Sequence, residues 1–181
     1  MPHRQRHINY LLNASSFCYS EDMPAKSKPT RRSACPLNVS LEILGDRWSL
    51  LIIRDLMIRG FRTYKEFLGS DEGIATNILA DRLQKLEACG IIAPRQDPED
   101  RRKLNYRLTK KGIDLAPVLT ELVLWAARYE DTVAPPALIR KMQKNREQFL
   151  AEVRQRWRDG VSSPIIPRGA NGRVDTPSHK K

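Results

Sequence analysis

Apolar residues along the middle of the chain recur at three- and four-residue intervals, the period of a helix packed on one face. Pro36 suits the first turn of a helix over 36–44, and Gly45 supplies its stop. Asp46 then caps a second helix, RWSLLIIRDLMIRG. Its Trp48, Leu51, Ile52 and Leu56 keep the helical period until Gly60. Thr63 and Glu66 in TYKEFL form a capping box and predict a short third helix. After the turn GSDEG, the stretch ATNILADRLQKLEACG predicts a fourth helix ending at Gly90. On its wheel Leu79, Leu83 and Leu86 share one face, and Asn77, Asp81, Gln84 and Lys85 lie on the other. An ordinary surface helix would show the same wheel. The short capped helix and tight turn immediately before it predict a helix-turn-helix instead, with the second helix, about 75–89, entering the major groove.

The period then changes to two. IIAPRQ and KLNYRL read as strands around the turn DPEDRR, a hairpin or wing over 95–107. Thr109 is expected to cap one long helix reaching about Tyr129, kinked at Pro117. Its stripe of Leu115, Val118, Leu119, Leu122, Trp125, Ala126 and Tyr129 is wide for a helix at the edge of a small domain, so part of it is expected to meet a partner subunit. APP at 134–136 breaks the chain. One further helix is expected over 137–158, with Ile139, Met142, Phe149, Val153 and Trp157 as its apolar stripe. The fold class is therefore mainly α with a small β-hairpin: a winged helix-turn-helix with an extra C-terminal helix. The expected layout is a disordered basic tail over 1–34, the domain over 35–133, the added helix within 134–159 and a disordered tail over 160–181. Met23 is a second candidate for the first residue of the native chain, a question that intact mass decides.

Charge adds a partner to this picture. The net charge is +11, which suits nucleic acid. Residues 35–133 balance 15 basic against 15 acidic groups, so the excess lies in the flanks and a nucleic-acid site in the domain needs local clustering. The wing provides it, with seven basic and three acidic residues from Arg95 to Lys111. Arg101, Arg102 and Lys103 are expected to hold the wing on phosphates or in an adjacent minor groove. On the recognition helix, Asn77 can bond adenine in a bidentate way, and Gln84 or Lys85 can reach bases or phosphates. Thr76 and Arg82 position the helix on the backbone, and Asp81 can accept from a cytosine amine. A winged helix used only for protein contacts is the alternative, with the polar face of 75–89 as its interaction surface.

Other classes find little support. There is no P-loop, GxGxxG, HExxH, GxSxG or paired-carboxylate pattern, so no enzyme, cofactor or metal is expected. The histidines (His3, His7, His179) all lie in the tails. Cys18, Cys35 and Cys89 are odd in number and lack metal-ligand spacing. No apolar run of eighteen residues exists, and a cytoplasmic location is expected.

The segments CPLNVSLEILGDRWSLLIIRDL, RTYKEF, ILADRLQKLEACGII, YRLTKKG and LAPVL, in this order, resemble the HxlR-type winged-helix transcriptional regulators, relatives of the MarR group. The resemblance spans about 35–133. It implies a homodimeric repressor or activator with one winged helix per subunit. The dimer would be built from the first and last helices of the domain, here through Leu37, Leu41, Leu119, Leu122, Trp125 and Tyr129. Two such subunits would read half-sites about one helical turn apart, on a pseudo-palindromic duplex operator. Ala75 departs from the serine that commonly caps the recognition helix in that family, and the wing turn is closer to that of MarR proteins. Some family members use the cysteine of the Cys-Pro motif to sense oxidants or quinones. Here that cysteine is Cys35, at a helix start beside Arg31 and Arg32, where a thiolate is favoured. Two readings stand for it, a redox or electrophile sensor and a small spacer between subunits. Cys89 reads as a packing residue at a helix end. The effector, the operator sequence and the sign of regulation are not readable.

Overall fold

A computed structural model describes residues 32–97, 100 and 103–165. The unit from Ser33 onward is built of α1 (Pro36–Leu44), α2 (Arg47–Arg54) running on as a π turn (Asp55–Arg59), α3 (Tyr64–Leu68), α4 (Thr76–Ala88), β1 (Ile92–Gln96), β2 (Leu104–Leu108), α5 (Lys110–Ile113), α6 (Ala116–Tyr129), α7 (Pro136–Lys144) and α8 (Arg146–Arg158). This is a winged helix-turn-helix: α3 and α4 form the motif and the hairpin is the wing. None of the described helices is long and apolar enough to cross a membrane.

Local signals set the boundaries. Pro36 opens α1, and the Gly45 N–H closes it on Leu41 O. Gly60 ends the π turn in the left-handed region, φ 73°, where a side chain is strained. A Cβ there would also run into Ser162 O, because the chain beyond α8 crosses at this point. Inside the π turn, Asp55 is buried and pairs with Arg54 at 2.7 Å and Arg59 at 3.5 Å. Glu72 holds Arg54 at 2.7 Å and Arg59 at 3.4 Å. The turn that leads into α4 is thereby clipped to the end of α2.

The strands pair antiparallel, from Ile92 opposite Leu108 to Gln96 opposite Leu104. The stretch before α3 adds to the other side of β2: Thr63 bridges Asn105, and the Tyr106 N–H donates to Arg62 O at 2.6 Å. Alternation puts Ile92, Tyr106 and Leu108 on the core face, where Tyr106 meets Phe67 edge-on.

Two expected helices are each divided. The single helix from Thr109 to Tyr129 is α5 and α6, parted at Asp114 and Leu115. Pro117 explains the break. An unbroken helix would need its N–H to reach Ile113 O, and proline has none. It sits instead in the first turn of α6, where that donor is not required. The single helix over 137–158 is α7 and α8, parted at Asn145, whose φ of −131° and ψ of 51° are not helical. Asn competes with the helix for its own backbone, which makes it a natural breaking point. Nor is this pair peripheral. Met142, Phe149, Leu150 and Val153 are buried in the same cluster as Ile53, Phe67, Leu79 and Leu86, and the Trp157 indole N–H donates to Leu108 O at 2.7 Å.

Phe149 is 1% exposed within this core. Phe149→Ala should therefore lower unfolding free energy by about 3–5 kcal/mol, read by urea denaturation. A loss below about 1 kcal/mol would show that α8 lies outside the cooperative core.

Candidate nucleic-acid interface

The platform for α4 is built in its two preceding helices. Thr63 Oγ1 accepts from the Glu66 N–H at 3.3 Å, and Glu66 Oε2 accepts from the Thr63 N–H at 2.9 Å, which completes the capping box. The next residue, Tyr64, donates its hydroxyl to Thr76 O at 2.7 Å and ties α3 to the first turn of α4. Leu79, Leu83 and Leu86 bury the inner face of α4. Ala75 occupies the N-cap and supplies no side-chain acceptor, so the first amides of α4 lack that partner.

Thr76, Asn77, Asp81 and Gln84 are exposed on the outer face. Arg82 and Lys85 are placed differently, reaching back to α2. Arg82 Nη1 lies 3.2 Å and Lys85 Nζ 3.7 Å from Asp46 Oδ2, and Arg82 Nη2 lies 3.0 Å from Asp81. Asp46 is also the cap of α2. Its Oδ1 accepts from the N–H groups of Trp48 and Ser49, and its Oδ2 accepts from Ser49 Oγ at 2.6 Å. Burial pushes the Asp46 carboxyl up, but the Ser49 hydroxyl and amide, Arg82 and the Trp48 amide together hold it below its ordinary value. Composition could not distinguish an arginine facing solvent from one spent on a cap. The signal was Asp46 itself, one carboxylate near the start of a helix that packs on α4.

At the wing, Lys103 is exposed and lies 3.7 Å from Asp100. Arg101 and Arg102 lie outside the described residues. The tip is organised by Asp97, a residue that the charge pattern alone does not single out. Its side chain accepts from Asn105 Nδ2 at 2.9 Å and from the Asp100 N–H at 3.2 Å, and its own N–H donates to Lys103 O at 3.0 Å. Asp opening a turn is the pattern that could have revealed it. Arg107, counted with the basic wing, is half-buried and donates to Trp157 O, away from the tip.

Apolar side chains are also exposed on two other helices: Leu37 and Leu41 on α1, and Val118, Leu122, Trp125 and Tyr129 on α6, with Trp125 58% and Leu37 68% accessible. Leu119 packs against the core instead. Cys35 is the exposed N-cap of α1. The backbone amides of Asn38 and Leu37 draw its thiol below the ordinary value. Cys89 is half-buried at the end of α4 and packs on the core. Arg31, Cys18, Met23 and the three histidines lie outside the described residues.

The HxlR-like helix-turn-helix family model matches residues 43–134. The HTH-type transcriptional regulator YvaP of Bacillus subtilis (strain 168) is 33% identical over 98 residues, which cover 54% of this chain and 90% of YvaP. YodB, an HTH-type transcriptional regulator of the same strain, is 36% identical over 96 residues, which cover 52% of this chain and 85% of YodB. Among solved structures, the transcription factor candidate PA1607 aligns with a TM-score of 0.52 at 33% identity, over 58% of this chain and 72% of that one.

The sign of the Asp46 shift fixes a pH dependence. A carboxylate depressed in the folded state contributes stability above its unfolded pKa, about 3.9, and loses it as pH falls through the folded value. Asn caps a helix about as well as Asp, so Asp46→Asn isolates the charge. The variant should be less stable at pH 7 by about 0.5–1 kcal/mol. That difference should vanish as pH drops below the carboxylate range, as followed by thermal unfolding across pH.

Proposed function

Because the chain belongs to the HxlR-like helix-turn-helix family of transcriptional regulators, we propose that it binds duplex DNA sequence-specifically as a homodimer, with α4 in the major groove and the wing on the backbone or in the minor groove. The observation that carries this reading is the outer face of α4. Thr76, Asn77, Asp81 and Gln84 are exposed there, beside a first turn whose amides have no side-chain cap and suit a phosphate. Asn77 and Gln84 read base edges, and Thr76 positions the helix. Asp81 accepts from a cytosine amine. Arg82 and Lys85 act from the rim, since Asp46 already holds them. Lys103, Arg101 and Arg102 serve the wing.

The exposed apolar side chains of α1 and α6 support the dimer, in which Leu37, Leu41, Leu122, Trp125 and Tyr129 would be covered and Leu119 would back them from inside. A two-fold dimer calls for a pseudo-palindromic operator. We assign the protein to the cytoplasm, where such an operator would lie. Cys35 then stands at the start of a dimer helix with a lowered thiol pKa, and we assign it the oxidant- or electrophile-responsive position. One observation favours the second reading, a winged helix used only for protein contacts: Asp46 neutralises two of the basic groups on α4. The experiment that separates the two is a gel shift on DNA upstream of the protein's own gene.

Asn77→Ala should cost about 1–3 kcal/mol of discrimination at one base pair. Lys103→Ala should weaken all sequences alike and reduce the salt slope by about one. Equal losses from both variants on every sequence would refute base reading by α4. Leu122→Glu with Trp125→Glu should give monomers in analytical ultracentrifugation. Cys35→Ser should abolish any response of DNA binding to diamide; a response that persists removes Cys35 from that role.

A further inference from the structure

A cleft opens where α8, the foot of the hairpin and the π turn meet, and Leu56, Arg62, Arg107, Arg156, Trp157 and Val161 line it. Three guanidinium groups converge there from separate elements: Arg62 ahead of α3, Arg107 on β2 and Arg156 on α8. No carboxylate lines the cleft, and none of the three arginines has an ion-pair partner among the described residues. Glu66 attracts Arg62 from outside the cleft lining, and its Oε2 is engaged by the N–H groups of Arg62 and Thr63.

Backbone carbonyls take hydrogen bonds from all three groups. Arg62 Nη1 donates to Leu56 O and Phe61 O, both at 2.7 Å, and Nη2 to Val161 O at 3.2 Å. Arg107 uses only Nη2, on Trp157 O and Arg158 O, and Arg156 uses only Nη2, on Ser163. A guanidinium carries five N–H donors. Each of these two therefore keeps Nε and Nη1 without an acceptor among the described residues. Burial, and after it the neighbouring Arg107, lowers Arg62 from its ordinary value; burial, and after it Arg95, lowers Arg107. Like charges gathered around a cleft with spare donors and no carboxylate in its lining form a receptor for an anion.

We propose that this cleft binds a small oxyanion, the carboxylate or phosphate head group of a soluble ligand, between Arg62, Arg107 and Arg156. The enclosed room is about 20 Å³, enough for one oxygen-sized group, so the rest of the ligand stays at the mouth. Once seated, the head group joins α8 to the wing strand and to the loop that leads into α3. The site is independent of the DNA-binding reading and is tested without DNA.

Trp157 borders the cleft with Arg107 over its ring at 5.8 Å and reports occupancy. Its fluorescence in the full chain is titrated with inorganic phosphate and, separately, with acetate. Chloride at matched ionic strength is the control, and Trp157→Phe assigns the signal. The expected result is a saturable change with phosphate or acetate that chloride does not give; whichever is tighter names the head group. Arg107→Gln should raise the half-saturating concentration by about tenfold or more, while Arg140→Gln on α7 leaves it unchanged. Arg62 supports three carbonyls of the fold, so Arg156→Gln serves as the second variant and should weaken binding in the same direction. An equal response to chloride, no saturable change, or saturation unaffected in both Arg107→Gln and Arg156→Gln would overturn the proposal.

Discussion

One carboxylate fixes how the fourth helix faces outward. Asp46 ends the first amides of α2, takes the buried Ser49 hydroxyl and draws Arg82 and Lys85 from α4. Leu79, Leu83 and Leu86 set the depth of α4, but an apolar stripe alone leaves some freedom of rotation about the helix axis. The polar side of the contact removes it. Arg82 Nε is buried without a hydrogen-bond partner, so the guanidinium depends on Asp46 and Asp81 for its compensation. Taking away such a partner leaves a half-buried charge exposed to its full desolvation cost.

Local chemistry was legible in the sequence wherever one residue decides the backbone. Pro36, Asp46, Gly60 and the Thr63–Glu66 box stand where the spacing put them, and so does the hairpin with its alternating core face. The inner leucines of α4 were equally clear, because a 3.6-residue period held over thirteen residues fits a helix and no strand. Two helix breaks were not foreseen. Pro117 was read as a kink and is a start, and Asn145 carried no strong stop signal. The larger omission was long-range. Met142, Phe149 and Val153 formed a visible stripe, but a stripe does not say which surface it meets. Only the fold shows it closing the same core.

Charge was the least transparent property. The balanced composition of 35–133 left open which basic side chains are available to a partner. The structure sorts them by neighbour. Arg54 and Arg59 belong to Asp55 and Glu72, Arg82 and Lys85 to Asp46, and Arg62 and Arg107 to backbone carbonyls. Partners of this kind lie many residues away, so a linear count cannot assign them. The same sorting separates basic residues that hold the domain together from those, such as Lys103, that face water.

The crossing at Gly60 constrains the two strands of chain that meet there in unequal ways. The 60th residue is bound twice, by a left-handed backbone and by Ser162 O lying where its Cβ would be. The incoming segment is held almost wholly through its main chain: Val161 O on Arg62, Ser163 O on Arg156 and the Ile165 N–H on Ile58 O. Mutational drift is therefore closed at one glycine and far more open along Val161 to Pro164, where the Ser163 hydroxyl adds one side-chain hydrogen bond to the joint. Descendants of this chain could lose most recognisable letters of that stretch and still keep its main-chain bonds.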